Sequence, residues 1–520
     1  MFFDFIAMVK FMTNCSLNKA YYKLHSLSKA ASILGSVQAL LDWDQETYMP
    51  KESIDIRSQQ IEMIASLVHR DKTSKTFAKA LAKLIDLPSG TILDPLLSDS
   101  QVSAVQNWRR DYLQSIKLSN SFVKKFAQTT ARAVHAWQAA KECNDFALFS
   151  PHLEKVILLS RKKADALGFK DHPYDALMDI YEPEMSSAIL IPIFAQLKTA
   201  LTALLKKITL KKPFNDEFLY QNCTKDKQLN FANKILHSMG FEPHVWRLDI
   251  SNHPFCATVH PRDTRMTTLV HPENIMFSIG SVMHEGGHGL YNMNLPGAHY
   301  GSPLCEQISL GIDESQSRWW ETLIGQSFPF WQHFYPLLQV EFPHQFGNIS
   351  LAVFYQAVNA VKPGFIRIEA DEVSYNLHVI IRFELEKALI DGTLKVKELP
   401  EAWNSKMHSY LGITPPSNQQ GCLQDIHWAC GYIGYFPTYT LGNLYSVQFF
   451  KAFEKAHPRW QEQVAQGSLD FISQWLKENI HQYGRQYNSL QLCQKVTGEG
   501  LKQDSYMNYL TTKYSKLYDC

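Results

Sequence analysis

The chain has 520 residues, of which 45% are hydrophobic and 12% aromatic, so it can bury a large core in one big helical domain or in several smaller ones. It carries 51 basic and 50 acidic residues and a formal net charge of +1. This balance argues against an electrostatic nucleic-acid binder, which would show a basic excess.

The cysteines and the N-terminus indicate the compartment. Nine cysteines are dispersed from Cys15 to Cys520 without a CxxC pair, which is typical of reduced thiols in a reducing compartment. Residues 1–14, MFFDFIAMVKFMTN, lack the basic region and the cleavage site of a signal peptide. No apolar run approaches the roughly 20 residues of a membrane-spanning helix. We therefore expect a soluble, cytoplasmic protein that binds no membrane.

Helical periodicity dominates the chain from its first segment onward. In residues 20–44 apolar side chains recur at the spacing of a helix face, as in Leu27, Leu34 and Leu41. Further helices are predicted over residues 52–70, 98–142, 153–167, 191–207 and 440–520. Prolines separate these segments, at Pro50, Pro88, Pro151, Pro183 and Pro213.

The chain shows no internal repeat, low-complexity tract or long linker. We therefore predict a single domain over residues 1–520. Its helical N-terminal part covers about 15–245 and its candidate functional motifs about 250–445.

One region breaks the helical pattern. Residues 253–270, HPFCATVHPRDTRMTTLV, contain two short β-rich runs around HPRD. They predict a hairpin with strands near 255–259 and 265–270. The hairpin directly precedes the next helix, so we expect a small sheet beside that helix.

The helix after the hairpin carries a metal-binding pattern, SVMHEGGHGLYN, at residues 281–292. Pro272 suits its start, and NLPG suits its end. His284 and His288 lie four residues apart, one turn along the same face, with Glu285 beside the first. HExxH supplies two imidazole ligands and a carboxylate that activates water. The alternative is a pair of hydrogen-bonded histidines in the core.

Gly286 and Gly287 stand between the two histidines. A glycine inside a helix costs about 1 kcal/mol relative to alanine. We expect the bare backbone there to let the hairpin and the substrate main chain approach the metal closely. An empty gap beside these glycines would contradict this expectation.

A third ligand is needed, because catalytic zinc usually takes three protein ligands and leaves one position open. The next predicted helix, residues 306–325, carries Glu314 in its middle. Glu306, Asp313 and Glu321 are rival candidates on the same helix. Asp313 points about 100° away from Glu314 around the helix, so it could orient a ligand histidine from behind.

Six motifs follow one another along the chain: HPF at 253–255, DTRMT at 263–267, HEGGH at 284–288, ESQ at 314–316, IRIEAD at 366–371 and GCLQDIHW at 421–428. Together with WDQETYMP at 43–50, they resemble the motifs of the Taq-type metallocarboxypeptidases, the thermostable carboxypeptidase 1 family. One residue departs from the pattern, because Asp313 stands where that family usually has a histidine.

The resemblance implies a mainly α fold: a large helical, zincin-like metallopeptidase with a deep cleft and a small β-sheet or hairpin beside the active site. It implies a homodimer and one catalytic Zn²⁺, with Co²⁺ serving in some members. The ligands would be His284, His288 and Glu314, and Glu285 would be the general base. The implied reaction is the release of single residues from peptide C-termini with broad specificity.

A carboxypeptidase must bind a free α-carboxylate, and an arginine fork pairs with it through two parallel bonds. By the resemblance Arg367 is the best candidate, and Asp371, four residues on, could hold its orientation. Without the resemblance, Arg367 would be interpreted as a surface arginine. Arg265 is the second choice, although Asp263 could simply pair with it.

Peptide hydrolysis also needs donors aimed at the charge that develops on the carbonyl oxygen. Residues 421–443 offer His427, Tyr432, Tyr435 and Tyr439, of which we favour His427 and Tyr435. The alternative is a packed aromatic cluster with satisfied hydroxyls.

Two further residues near these motifs are candidates for substrate contact or orientation. His253 and the strand after it are expected to line the cleft and pair with the substrate backbone by strand addition. Asp425 could orient His427, which is only two residues away.

Two different interpretations stay open. A glutamate-zincin endo-oligopeptidase or dipeptidyl carboxypeptidase shares HExxH, the distant glutamate and a helical cleft, and a requirement for a free carboxylate discriminates against it. A non-catalytic helical scaffold with a structural metal is less favoured, because structural zinc sites usually use cysteines and none is at ligand spacing here.

Overall fold

The computed structural model describes residues 19–520. Our interpretations of residues 1–14 as no signal peptide and of Cys15 as a reduced thiol lie outside the described residues. Within residues 19–520 the protein is mainly α-helical with a small sheet, which confirms the predicted fold class.

The α-helices, in chain order, are α1 (Lys19–Thr47), α2 (Ile54–Lys72), α3 (Lys75–Leu81), α4 (Asp99–Lys117), α5 (Asn120–Glu142), α6 (Phe146–Leu167), α7 (Pro173–Met178), α8 (Ser187–Thr209), α9 (Lys225–Ser238), α10 (Ile275–Asn294), α11 (Leu310–Arg318), α12 (Phe328–Glu341), α13 (Pro343–Phe346), α14 (Leu351–Val358), α15 (Tyr375–Asp391), α16 (Leu399–Leu411), α17 (Pro437–Ala456), α18 (Trp460–Ala465), α19 (Asp470–Asn479), α20 (Ser489–Thr497) and α21 (Asp504–Tyr518). The strands are β1 (Trp246–Ile250), β2 (Cys256–His260) and β3 (Asp263–Thr268). A π-helical turn, Trp319–Ile324, follows α11 directly.

Two helix boundaries differ from the sequence prediction for local reasons. The predicted segment 98–142 is two helices, because the Ser119 hydroxyl accepts a hydrogen bond from the Phe122 N–H and begins α5. Helix α6 begins earlier than predicted, where Asp145 caps it. Pro151 therefore lies inside α6, near its start, where the missing N–H removes a single backbone hydrogen bond.

The sheet has the order β1-β3-β2. Strands β2 and β3 form the predicted antiparallel hairpin, with Cys256 opposite Met266. Strand β1 was not predicted, and it pairs in parallel with β3, with Trp246 opposite Thr264. The sheet contacts α10 through β3, so it stands beside the helix that carries HExxH.

Helix α8 corrects one expectation. It is long and apolar enough to cross a membrane by length and composition, although the sequence analysis found no apolar run of that length. Its residues Leu190, Leu197, Leu201 and Leu205 are buried in the main hydrophobic core. One side of this helix therefore packs into the core of the protein.

The main core surrounds α10, α15 and α17, and a smaller cluster joins α1, α3 and α4 around Leu24, Leu81 and Trp108. The expected boundary between an N-terminal helical part and a catalytic part, at about residue 245, stays a prediction.

The two glycines of HEGGH serve close packing, but not with the predicted partners. A Cβ atom at Gly287 would lie 2.6 Å from the Cα of Ser317 on α11, and one at Gly286 would lie 2.9 Å from Cε of Met239. The hairpin instead contacts Gly289, where a Cβ would lie 2.8 Å from Sδ of Met266. The bare backbone therefore admits the neighbouring helix α11, and our expectation of the hairpin and substrate at Gly286 and Gly287 was wrong.

Candidate metal centre

Local capping fixes where the two helices of the site begin. Asn274 accepts a hydrogen bond from the Phe277 N–H and starts α10, two residues after the predicted Pro272. The Ser309 hydroxyl accepts one from the Ile312 N–H and starts α11. These caps satisfy N–H groups that the first helical turn leaves free.

Three side chains from these helices converge on one point. His284 and His288 of α10 and Glu314 of α11 each offer a ligand atom, and the three atoms lie within 4.8 Å of one another. Oε2 of Glu314 is 3.7 Å from Nε2 of His284 and 3.8 Å from Nε2 of His288. Two imidazoles and a carboxylate are a donor set of catalytic zinc, at about 2.0–2.2 Å from each ligand. The residues present therefore fit a divalent metal ion.

Each of the two histidines has a carboxylate on its other ring nitrogen. Oε2 of Glu321 lies 2.9 Å from Nδ1 of His284, and Oδ1 of Asp313 lies 2.9 Å from Nδ1 of His288. The contact of Glu321 with His284 is a hydrogen bond, which holds the ring and leaves Nε2 free for a metal. The contact of Asp313 with His288 is an ion-pair distance without hydrogen-bond geometry. The expected contact between Asp313 and a ligand histidine is confirmed.

Glu306 and Glu321, the two rival glutamates for the third ligand position, have different partners. Glu306 forms an ion pair with Arg485. Glu321 lies 2.7 Å from Nη1 of Arg318 as well as beside His284. Burial raises the pKa of Glu321, but the Arg318 guanidinium and His284 more than offset this effect and lower it to about 2. Glu321 is therefore an ionised carboxylate beside Nδ1 of His284.

Glu285 occupies the same cavity as the three candidate ligands. Only 6% of the residue is exposed. Burial raises the pKa of Glu285, while the neighbouring His284 and His288 oppose that effect. A carboxylate so placed can exchange a proton with a water molecule in the cavity.

The cavity has a volume of about 290 Å³ and two walls of different origin. One wall comes from the start of the hairpin, with Phe255, Cys256 and Thr258. The other wall comes from the segment just before α17 and the first turn of α17, with Tyr435 and Tyr439. These two tyrosines thus line the same cavity as Glu285.

His427 lies behind this tyrosine wall rather than in it. Its Nε2 is 3.0 Å from the hydroxyl oxygen of Tyr439. Burial lowers the pKa of His427 to about 3 despite Asp425, and Arg367 and Arg382 add to the lowering. His427 is therefore a neutral imidazole that contacts the cavity through Tyr439.

Arg367 is buried, with 5% of its side chain exposed, and its interpretation as a surface arginine is wrong. Its Nε and Nη2 donate to Oδ1 of Asp425 at 3.1 and 2.9 Å. The suggested pairing with Asp371 is also wrong, because the Asp371 carboxylate accepts from the N–H groups of Val373 and Ser374. Asp425 thus pairs with Arg367. Among the described residues, the suggested hydrogen bond between Asp425 and His427 is absent.

The position of Arg367 relative to the cavity follows from its aromatic neighbours. Its guanidinium carbon lies 4.7 Å from the ring centre of Tyr439, and Tyr439 lines the cavity. Arg367 itself does not line the cavity within the described chain. The guanidinium thus lies against a tyrosine that lines the cavity.

The remaining predicted residues lie around the hairpin. Nε of Arg265 is 2.9 Å from Oδ1 of Asp263, which confirms that these two residues pair with each other. The same guanidinium lies 4.4 Å from the ring centre of Trp43 on α1. His253 is exposed, and its carbonyl accepts a hydrogen bond from Ser251.

Comparison with known proteins agrees with this geometry. Residues 23–514 match the carboxypeptidase Taq (M32) metallopeptidase family. The chain belongs to this family. It is 38% identical over 510 residues to thermostable carboxypeptidase 1 of Thermus thermophilus, covering 96% of this chain and 99% of that protein. It is 36% identical over 494 residues to carboxypeptidase 1 of Bacillus subtilis, covering 95% and 97%.

The fold agrees as well. The crystal structure of an M32 carboxypeptidase from Deinococcus radiodurans R1 superposes with a TM-score of 0.93 at 33% identity, covering 96% of this chain and all of that one. The chain is therefore a metallocarboxypeptidase, a hydrolase of peptide bonds.

Sequence reasoning missed two polar residues of this M32 site. Nε2 of Gln307 donates to Oδ1 of Asp313 and to Oδ1 of Asn292, both at 2.8 Å. Asn292 is four residues after His288, so helical spacing along α10 could have indicated it. Gln307 lies before α11 in a loop, and no spacing rule links it to the ligands.

Proposed function

We propose that this M32 metallopeptidase is a zinc-dependent carboxypeptidase that releases single C-terminal amino acids from peptides with broad specificity. The observation that carries the proposal is the convergence of His284, His288 and Glu314 in one cavity with Glu285. The metal is proposed to be Zn²⁺, with Co²⁺ as a possible substitute, because two imidazoles and one carboxylate suit these ions. When bound, the ion would act as a Lewis acid that polarises the scissile carbonyl and lowers the pKa of water.

Glu285 is the proposed general base. A carboxylate beside the ligands can take the proton from the attacking water and return it to the leaving amine. Its burial in the cavity supports this role, since bulk water does not compete for the proton there.

Tyr435 and His427 are the proposed stabilisers of the developing oxyanion. Tyr435 lines the cavity and can donate its hydroxyl proton directly. His427 supports the neighbouring Tyr439 hydroxyl at 3.0 Å, so it acts through that tyrosine.

The substrate main chain is proposed to run along β2. This strand lies at an edge of the sheet, and its Cys256 and Thr258 line the cavity. An edge strand can pair with an extended peptide by strand addition. His253, which is exposed just before β2, is proposed to contact the same peptide.

Arg367 remains the proposed partner of the free α-carboxylate, with Arg265 as the second choice. Arg367 and Arg382 share Asp425 as their ion-pair partner. Two guanidinium groups on one carboxylate leave a local excess of positive charge, which favours an anion near Tyr439. Arg265 has a carboxylate of its own in Asp263, whereas Arg367 shares Asp425 with Arg382, which favours Arg367.

We further propose a cytoplasmic homodimer that acts on peptides with a free C-terminus and binds neither nucleic acid nor membrane. The balanced net charge of +1 supports the absence of nucleic-acid binding. The cysteines within residues 19–520 are free thiols, which supports a reducing compartment. The dimer rests on the family resemblance.

A paired assay tests the carboxypeptidase reaction. The same peptide is offered as acid and as amide to wild type and to Arg367→Lys, with and without chelator, and products are identified by mass spectrometry. Wild type should prefer the acid by roughly 30- to 1,000-fold in kcat/KM, since the charge-assisted pair between the α-carboxylate and a guanidinium, which the amide cannot form, contributes on the order of 2–4 kcal/mol. Arg367→Lys keeps a charge beside Asp425 but loses the fork, so it should lose most of this preference.

The products decide between the candidate functions. Internal cuts would favour an endo-oligopeptidase, and release of residue pairs would favour a dipeptidyl carboxypeptidase. Bound metal without cleavage would favour the structural scaffold. If Arg367→Lys still discriminates as wild type does, the anchor moves to Arg265.

A further inference from the structure

A buried chain of polar contacts leads away from the metal centre. Oε2 of Glu321 lies 2.9 Å from Nδ1 of His284 and accepts a 2.7 Å hydrogen bond from Nη1 of Arg318. Nε of Arg318 donates to Oδ1 of Asn443 at 2.9 Å. Nδ2 of Asn443 donates to Oδ1 of Asn376 at 3.0 Å. These contacts connect His284, a proposed ligand on α10, with α17 and α15.

Arg318 is the branch point of this chain. It is 8% exposed, and its ion-pair partner within residues 19–520 is Glu321. Its two donor groups serve partners on different elements, the carboxylate of Glu321 and the amide oxygen of Asn443. A planar guanidinium can hold both at once in a fixed geometry, which an ammonium group cannot do.

The backbone around Glu321 explains why such a hold is needed. Residues Trp319–Ile324 form a π-helical turn, in which the Gly325 N–H donates to the Trp320 carbonyl at 2.9 Å. A π turn interrupts the regular helical ladder and is often found at functional sites. Glu321 lies in this irregular turn, and its carboxylate contacts the side chains of His284 and Arg318.

We propose that Arg318 is a positioning residue, which clamps Glu321 against Nδ1 of His284 by anchoring itself to Asn443. The clamp holds the imidazole of His284 with Nε2 directed at the metal position. This inference rests on the proposed function, because it takes His284 as a metal ligand.

If Arg318 acted only through its charge, its replacement would change the metal affinity in the opposite direction. Four carboxylates surround the two ligand histidines: Glu285, Asp313, Glu314 and Glu321. A guanidinium beside them repels a cation, so removal of its charge alone would tighten metal binding. Removal of the clamp would weaken it, because outer-shell partners typically contribute 10–100-fold in affinity.

The test measures the Zn²⁺ affinity of the full-length protein by competition with a chelator of known affinity. Arg318→Lys keeps the charge and loses the fork, Arg318→Met loses both, and Asn443→Ala removes the anchor of Arg318. We expect Arg318→Lys and Asn443→Ala to weaken Zn²⁺ binding about 10-fold and Arg318→Met about 10- to 100-fold. The visible spectrum of the Co²⁺-loaded protein should change in the same three variants, since the His284 ring would be free to tilt.

Arg485→Lys is the matched control. Arg485 is also paired, with Asp111 and Glu306, and only 12% of its side chain is exposed; neither partner is among the residues that line the cavity of the candidate ligands. This variant should lower the melting temperature of the metal-free protein without changing Zn²⁺ affinity or the Co²⁺ spectrum. If Arg318→Met does not fold, Arg318→Lys and Asn443→Ala still decide.

Unchanged affinity in Arg318→Lys together with tighter binding in Arg318→Met would overturn the clamp in favour of the charge role. Unchanged affinity in both Arg318→Lys and Asn443→Ala would also overturn it. Failure of wild type to bind Zn²⁺ with one ion per chain would instead count against the proposed function, so the two failures are distinguishable.

Discussion

At the scale of single residues, the centre is ordered by carboxylates that stand behind the imidazole rings. Asp313 contacts His288, and Glu321 contacts His284. Asp313 stands where the Taq-type pattern usually has a histidine, and the aspartate gives His288 an anionic partner. Glu314 converges with the two histidines, whereas Asp313 stands behind one of them. Replacing each residue should therefore change the metal affinity by a different amount.

We predict that Asp313→Asn weakens metal binding about 10- to 100-fold, because it removes the charge that orients His288. Glu314→Gln should weaken it by more than about 100-fold, since an amide is a poor replacement for an anionic ligand. Elemental analysis after dialysis against graded chelator measures both. Glu285→Gln is the control, which should keep its metal and lose turnover. A Glu314→Gln protein that retains metal while Asp313→Asn loses it would move the ligand assignment by one residue.

The two candidate histidines could be predicted from sequence because local spacing determines them: His284 and His288 are one helical turn apart. Spacing left Glu314 as one of several carboxylates on the next predicted helix, and the family resemblance selected it. The same local rule failed for Arg367, where it suggested Asp371 at four residues. The actual partner, Asp425, is 58 residues away in sequence, and only tertiary packing brings the two together.

At the scale of elements, the contact between α10 and α11 sets the distance between the histidines and the glutamate. Gly287 faces the backbone of α11, where a Cβ would lie 2.6 Å from Cα of Ser317. Gly286 faces flexible side chains instead, with a Cβ 2.9 Å from Cε of Met239. Backbone cannot give way as a methionine can, so the two glycines should respond differently to alanine.

We predict that Gly287→Ala lowers the free energy of unfolding by about 1–3 kcal/mol through overpacking and also weakens metal binding, because α11 must move away with Glu314. Gly286→Ala should fall at the low end of that stability range, partly offset by better helix propensity, and should keep its metal affinity. Urea unfolding of the metal-free proteins and chelator competition provide the two measurements. Equal metal affinity in both variants would show that the α10–α11 contact does not set the ligand geometry.

The sequence predicted strands β2 and β3 but not strand β1, because the partner of β1 is not its neighbour in sequence. The hairpin β2–β3 is contiguous in the chain, so its two β-rich runs were visible. Strand β1 pairs in parallel with β3, and its five residues from Trp246 to Ile250 gain their strand character from that non-local partner. The alternation in WRLDI was a signal that could have indicated it.

At the scale of the whole molecule, a buried carboxyl group connects distant parts of the chain. Glu386 on α15 accepts hydrogen bonds from the Tyr174 hydroxyl at 2.7 Å, from Nε1 of Trp428 at 2.8 Å and from the Gly434 N–H at 3.1 Å. Burial raises the pKa of Glu386 to about 7, although these hydrogen bonds and Arg382 oppose the rise. Gly434 belongs to the segment before α17, which leads to Tyr435 and Tyr439. The packing of this segment therefore depends on whether the Glu386 carboxyl group is protonated.

This coupling predicts how stability depends on pH. An unfolded glutamate ionises near pH 4.5, whereas the folded Glu386 holds its proton to about pH 7. Between these values the folded state binds more protons than the unfolded state, so the free energy of unfolding falls as pH rises. Below the window both states are protonated, and above it both are ionised, so the contribution of Glu386 to the slope vanishes. The decrease should be up to about 3 kcal/mol, at roughly 1.4 kcal/mol per pKa unit.

Urea unfolding of the metal-free protein at pH 5, 6 and 7 tests this prediction. Glu386→Gln cannot ionise, so its free energy of unfolding should fall less steeply with pH than that of wild type, even though the variant is less stable at pH 5. Glu384→Gln, on the same helix, is the matched control. Lys406, Tyr410 and Lys198 outweigh burial and keep the pKa of Glu384 below its usual value, so this variant should follow the wild-type slope over the same range. Parallel curves for wild type and Glu386→Gln would mean that Glu386 is already ionised at pH 5 in the folded protein, and that its three donors outweigh burial.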